Sequence, residues 1–191
     1  LQKVITKQHG TRINFVEQLE QKGTAHALMC SKDFWHAEHI LIMNADMPLV
    51  PKKLLMDLWE KHLAKQAVCS FVTTHTFDPA FASYGKVIET GQEIKIIEAK
   101  DYQALQLQTN NQLNKNNCLN AGIYIFKKSF LEQAISQLQT STVTGEFYIT
   151  DLIQIANQLN YKIEMFDAPV DQIRGINTLQ ELAVAEQVKQ T

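Results

Sequence analysis

The chain has 191 residues, 45% of them hydrophobic and 20% charged, enough for one well-buried core and short for two. Its formal net charge is -2, and of its 18 basic residues only Arg12 and Arg174 are arginine, so no basic face suited to a nucleic-acid backbone is evident. No apolar run approaches the roughly 20 residues that span a bilayer, and Cys30, Cys69 and Cys118 lack any C-x-x-C or His-rich spacing, the pattern of reduced thiols in a cytoplasmic protein.

Short apolar runs alternate with helical patterns, the rhythm of a sheet with crossover helices, and residues 1–191 are expected to form one domain. "LQKVITKQ" is too polar and too short for a buried strand, so Gly10 in the following "HGTRI" reads as a turn rather than a phosphate loop. "INFVEQ" (13 to 18) is expected as a strand, followed by a helix from about Ala25 to Asp33. "ILIM" (40 to 43) suits a strand buried on both faces. Pro51 fits a first helical position, with Leu55, Leu58, Trp59 and His62 at helical spacing behind it. "AVCSFVTTH" (67 to 75) is the next strand.

From Tyr84, "YGKVIETGQEIKIIEAKD" reads as two strands around a turn at Gly91, an antiparallel hairpin rather than another crossover. The Gln- and Asn-rich segment from Tyr102 to Asn117 reads as a surface loop or a short irregular helix. "CLNAGIYIF" is a further buried strand, and "FLEQAISQL" and "YITDLIQIANQL" read as helices, the second burying Leu152, Ile155, Ala156 and Leu159. "KIEMFDA" is the last strand, and the final helix starts with Thr178 and Glu181 at capping-box spacing.

Asp46 stands just past "ILIM", where a carboxylate is costly unless solvent, a helix end or a cation compensates it. Strand ends of open α/β sheets are also where ligands bind. Two readings stand side by side: a ligand to a divalent ion, or a turn aspartate capping the helix near Pro51. Asn177, beside the last helix, offers the same choice between neutral metal ligand and local cap, and taken alone the cap is the simpler reading. In "QKGTAHA" (21 to 27), Gly23 and Thr24 at a helix entry would let backbone amides approach a base or phosphate, or form an ordinary strand-to-helix turn. His26 reads as a packed histidine. Glu98 could accept from sugar hydroxyl or amide groups, or pair with Lys100 at the surface. Asn120 lies inside an apolar strand and needs partners that Leu119 and Ala121 cannot supply. Nucleophile-elbow, Walker, zincin and dinucleotide signatures do not occur, which leaves covalent hydrolase chemistry little support.

Taken in order, "QLEQKGTAHA", "ILIMNADMPL", "SYGKVIE", "IIEAKD", "LNAGIYIF", "GEFYITDLI" and "RGINTLQELAVAE" resemble the bacterial N-acetylglucosamine-1-phosphate uridyltransferases, the N-terminal half of a bifunctional enzyme. The resemblance runs over nearly the whole chain. It implies an α/β, Rossmann-like mixed sheet of the nucleotide-diphospho-sugar transferase type, with the antiparallel hairpin added and the N-terminal part incomplete. It also implies Mg²⁺-dependent transfer of UMP from UTP to N-acetylglucosamine 1-phosphate, giving the UDP-sugar and pyrophosphate, with no nucleic-acid or membrane partner and with self-association of the full-length protein left open.

On the family's pattern Asp46 and Asn177 hold the metal, Gln18, Gly23 and Thr24 recognise uracil, and Asn44 and Ala45 line the nucleotide. Gly85, Glu98 and Asn120 match the sugar contacts, with Tyr148 and Thr150 in the same pocket. Ala25 replaces the second glycine of the family's G-T-G, and Asn44-Ala45-Asp46 stands where Y-G-D is usual. The family's first strand, its G-x-G-T-R phosphate loop and a phosphate-binding lysine have no counterpart, so the chain is expected to be a fragment or to lack its first segment. No hexapeptide repeat follows the last helix, so no acetyltransferase activity is expected of these residues. Other sugar-1-phosphate nucleotidyltransferases, and a non-catalytic nucleotide-sugar binding module, are the competing readings.

Overall fold

A computed structural model of the chain describes residues 2–91, 93–109 and 117–189. The elements are α1 (Gln2–His9), α2 (Thr24–Cys30), β1 (His39–Met43), α3 (Lys52–Ala64), β2 (Cys69–His75), β3 (Lys86–Thr90), β4 (Glu93–Ile97), α4 (Ala99–Thr109), β5 (Cys118–Lys127), α5 (Lys128–Ala134), α6 (Asp151–Gln158), β6 (Ile163–Asp167) and α7 (Leu179–Lys189).

The six strands form one mixed sheet in the order β4-β3-β5-β2-β6, with β1 also paired to β5. β5 runs antiparallel to β1, β2 and β3, while β2 and β6 are parallel. It follows that β1, β2 and β6 all point the same way, and their carboxyl ends share one edge with the start of β5. β3 also begins there, because Lys86 pairs with Leu119, and β4 ends there, because Ile97 pairs with Lys86. The segments after β1, before β3, after β4, at the start of β5 and after β6 are thereby gathered on one rim.

The period-two alternation of a strand splits the core between the two sheet faces. Phe71, Tyr124 and Phe126 pack with Leu131, Leu152 and Ile153 from α5 and α6. Their neighbours Val72, Ile123 and Ile125 pack with Leu54 and Leu58 from α3. Helices on both faces bury β2 and β5 almost throughout, which is why both read as continuous apolar runs.

Several expectations are corrected. β1 is not buried on both faces: its only ladder partner among the described residues is β5, and Leu41 and Met43 are exposed. Residues 13–18 form no strand, since Ile13, Phe15 and Val16 find no ladder partner and stay largely exposed. α3 starts one residue after Pro51, and its buried line is Leu54, Leu58 and His62, with Trp59 exposed. α6 ends before Leu159, which is left exposed in the cap. The region from Tyr102 begins inside a regular helix, α4, while residues 110–116 lie outside the described residues.

The hairpin, the buried strand at 118–126 and the capping box match expectation. Thr90 pairs with Glu93 across Gly91, whose φ of 65° suits glycine. The Thr178 hydroxyl accepts from the Glu181 N–H at 3.1 Å, and the Glu181 carboxylate accepts from the Thr178 N–H at 2.8 Å. Among the described residues no helix is long and apolar enough to cross a membrane.

Candidate active site

The rim holds a hollow of about 200 Å³ whose walls include Thr24, Asn44, Asp46, Tyr84, Gly85, Glu98, Asn120 and Asn177. These residues come from six separate stretches of chain.

Asp46 follows β1 and meets the segment after β6 through the backbone: the Ile176 N–H donates to the Asp46 carbonyl at 2.8 Å. That bond sets Asn177 beside Asp46. The turn between them is held by Tyr84, whose hydroxyl accepts from the Gly175 N–H at 2.9 Å. A Cβ on Gly175 would lie 3.1 Å from Asp46 Oδ2, so only glycine leaves the carboxylate its full space. Asp46 Oδ1 is buried and has no hydrogen-bond partner among the described residues. An unpaired buried carboxylate oxygen is expensive, and a cation is one of the few things that satisfies it.

The two capping alternatives fail on geometry. Pro51 precedes α3 and no side chain caps that helix. At α7 the cap is Thr178 with Glu181, which engages only the backbone N–H of Asn177, at 2.7 Å. The Asn177 side chain therefore lines the hollow without a capping role. An aspartate and a neutral amide are oxygen donors of the kind hard divalent ions take. Among the described residues no three His, Cys, Asp or Glu side chains cluster as a metal group, so an ion here would complete its shell with water and phosphate oxygens, as Mg²⁺ does.

Across the hollow, Asn120 is buried and satisfied. Its Nδ2 donates to the Tyr124 hydroxyl at 2.6 Å, and its Oδ1 accepts from the Gly122 N–H at 3.3 Å. The partner the sequence could not show is four residues on, brought round by a bulge: Phe71 pairs with Tyr124 but Thr73 with Asn120, which leaves two extra residues in β5. Gly122 carries the bulge at φ 74°, and a Cβ there would meet Asn44 Nδ2 at 2.5 Å. The Asn120 N–H donates to the Gly85 carbonyl at 2.9 Å, and a Cβ on Gly85 would stand 3.5 Å from Glu98 Oε2. Glu98 itself accepts from the Thr150 hydroxyl at 2.9 Å rather than pairing with Lys100. Burial pushes the Glu98 carboxyl above its ordinary range, the Thr150 bond opposing and Asp151, Asp101 and Glu146 adding to the rise.

On the third side, the chain before α2 is stitched to residues 147–149. The Phe147 N–H donates to the Lys22 carbonyl at 2.8 Å, the Ala25 N–H to the Phe147 carbonyl at 3.0 Å, and the Ile149 N–H to the Thr24 hydroxyl at 3.0 Å. The Ala25 amide is thus already used. Gly23 sits at φ 98°, and a Cβ would run into the Phe147 carbonyl oxygen. Gln18 Nε2 lies 3.1 Å from the Gly23 carbonyl and 2.9 Å from His26 Nδ1.

Not every expected residue reaches the hollow. Gln18 and Gly23 stand beside Thr24 but are not among its walls. Ala45 borders a neighbouring, more open groove with Phe34, Trp35, Leu41 and Met43. Tyr148 faces another depression, with Asp101 and Asp151, and its hydroxyl bonds Thr144 at 2.6 Å. Thr150 is linked to the site through Glu98. Tyr84, Gly122, Tyr124 and Gly175 line the hollow without having been singled out. Tyr84 and Gly175 both lie in the quoted segments, but their contact spans 91 residues and leaves no local signal.

The profile of the family described as Nucleotidyl transferase matches residues 2–169. The "Bifunctional protein GlmU" of Desulfotalea psychrophila is 31% identical over 178 residues, covering 91% of this chain and 50% of that protein. That of Thermotoga sp. strain RQ2 is 32% identical over 174 residues, covering 91% of this chain and 36% of its own length. The chain thus spans about half or less of the curated relatives it matches. A crystal structure of UDP-glucose pyrophosphorylase complexed with UDP-glucose superimposes with a TM-score of 0.63 at 15% identity, covering 92% of this chain and 66% of that one, a likeness of fold. With the profile matched over most of its length and a mixed sheet shared with a sugar-nucleotide pyrophosphorylase, the chain belongs to the Nucleotidyl transferase family.

Proposed function

We propose that residues 1–191 act as one nucleotidyltransferase domain that transfers UMP from UTP to N-acetylglucosamine 1-phosphate, releasing pyrophosphate. The observation that carries this reading is the buried, unpartnered Asp46 Oδ1 in a hollow shared with Asn177. Asp46 and Asn177 would hold Mg²⁺, which when bound neutralises charge on the nucleotide phosphates. The ionised sugar phosphate is already a nucleophile: its oxygen bonds to the α-phosphorus as the bond to pyrophosphate breaks. The chain's task is then alignment rather than proton transfer.

In this reading Gln18, Gly23 and Thr24 take the base, and Asn44 and Ala45 the rest of the nucleoside. Gly85, Glu98 and Asn120 take the sugar. Glu98 and Asn120 face the hollow as acceptor and amide, suited to the hydroxyls and N-acetyl group of an amino sugar. Thr150 serves by orienting Glu98. Tyr148 is assigned a supporting place in the adjoining depression, which shares Glu98 with the hollow.

The test is release of pyrophosphate from UTP in the presence of Mg²⁺ and a panel of sugar 1-phosphates. The expected result is release with N-acetylglucosamine 1-phosphate, lost in Asp46→Ala. Release with glucose 1-phosphate alone would change the sugar, and release that survives Asp46→Ala would remove the proposed site.

A further inference from the structure

We propose that His26 is a positioning residue that fixes which end of the Gln18 amide is offered to a base, and so selects uracil over cytosine. The inference rests on the function proposed above and adds to it a residue and a sense of reading.

The Gly23 carbonyl fixes the sense of the Gln18 amide. A backbone carbonyl can only accept, so the end of the Gln18 amide lying 3.1 Å from it must be the NH₂. The same nitrogen stands 2.9 Å from His26 Nδ1. With its hydrogens directed at the Gly23 carbonyl and His26, Nε2 donates twice, and Nδ1 must be the unprotonated nitrogen of a neutral ring carrying its proton on Nε2. Both Gln18 donors are then used, and Oε1 is what remains for a ligand. Gly23 cannot drift away, because its backbone is wedged against Phe147 and the chain on either side is bonded there.

The chemistry of the two pyrimidines does the rest. Uracil carries an N–H at ring position 3, which an amide oxygen accepts. Cytosine carries a bare acceptor there, so Oε1 would face a second lone pair. Leaving such a pair unsatisfied in a dry contact costs roughly ten- to hundredfold in affinity. A free glutamine evades this by turning its amide over. Here the turn would set Oε1 against the Gly23 carbonyl and would require the His26 ring to move its proton from Nε2 to Nδ1, the less favoured tautomer, and His26 supplies the second of those two objections.

The test titrates UDP and CDP, each with Mg²⁺, into the protein and its His26→Phe, Gln18→Leu and double variants by calorimetry. The native protein is expected to favour UDP at least tenfold. His26→Phe should cut that preference to about threefold or less, by tightening CDP as well as weakening UDP. His26→Gln, whose amide can again accept, should restore most of the preference. In the Gln18→Leu background, His26→Phe should leave the UDP:CDP ratio unchanged. Should His26→Phe not melt cooperatively, His26→Leu carries the same expectation. A native-like ratio in the acceptor-less variant, or an equal loss for both nucleotides, would overturn the positioning role. A protein that transfers uridylyl groups without favouring UDP would sink this inference alone, whereas one that binds neither nucleotide would sink the proposed function with it.

Discussion

The Tyr84 hydroxyl and the Gly175 N–H, 91 residues apart, meet at 2.9 Å and close the turn that carries Asn177 to Asp46. Burial raises the Tyr84 phenol above its ordinary range, the Gly175 bond opposing and the nearby Asp46 charge adding to the rise, so it stays a neutral hydroxyl at working pH. Tyr84→Phe keeps the ring but frees the turn. It is expected to weaken divalent-ion binding several-fold and to lower thermal stability by about 1 kcal/mol, the usual net worth of one hydrogen bond. Ion titration and thermal melting of the same sample check both.

Gly175→Ala tests the same turn from the other side. A methyl 3.1 Å from Asp46 Oδ2 requires the carboxylate to give way by a few tenths of an ångström. Transfer is expected to fall at least tenfold while far-ultraviolet circular dichroism stays native. Full activity would show that the carboxylate has room to spare.

Gly23→Ala should act on the fold instead. It demands a left-handed φ of 98° from an L-residue and drives a methyl into a backbone carbonyl that is itself bonded to Ala25. A loss of about 2–4 kcal/mol in denaturant unfolding is expected, more than strain alone gives.

Glu98 predicts how sugar binding depends on pH. Burial, first among the causes, raises its carboxyl, so it takes up a proton at a higher pH than an exposed glutamate. Affinity for the sugar phosphate should therefore decline as pH falls, starting above the ordinary carboxylate range. Glu98→Gln should bind more weakly and lose that pH dependence. Calorimetry across a pH series separates the two outcomes.

His62 predicts how stability depends on pH. Its ring is buried between His39, at 2.9 Å, and the Ser70 hydroxyl, at 2.7 Å. Burial first, then the charges of His39 and Lys127, push it down to about 4. A histidine with a lowered folded value contributes stability above its unfolded value, about 6.5. That contribution is lost as pH falls from there toward 4, because the unfolded chain takes up the proton first. The loss is on the order of 3 kcal/mol. His62→Gln should flatten the profile across that window.

Where local pattern and long-range packing agree, the sequence was legible. The apolar run at 118–126 is a buried strand because helices cover both sheet faces, and Thr178 with Glu181 caps α7 because a capping box is complete within four residues. "ILIM" shows the limit: the same composition fits a central or an edge strand, and only pairing tells them apart. "INFVEQ" has strand propensity but no ladder partner among the described residues, and propensity without a partner does not make a strand. The site divides the same way. Asp46, Glu98, Asn120 and Asn177 were named from ordered segments and share one hollow. The bulge that gives Asn120 its Tyr124 partner and the Tyr84–Gly175 contact depend on where strands end in space, and the Gln18–His26 pair on how the loop before α2 folds back on the helix.

Whether Asp46 and Asn177 together bind one divalent ion is decided most directly by Mn²⁺ titration with a paramagnetic readout, in the presence of a UDP-sugar. The native protein should bind a single ion, Asp46→Ala should abolish that binding, and Asn177→Ala should weaken it at least tenfold. Mn²⁺ bound with unchanged affinity by both variants would contradict the account.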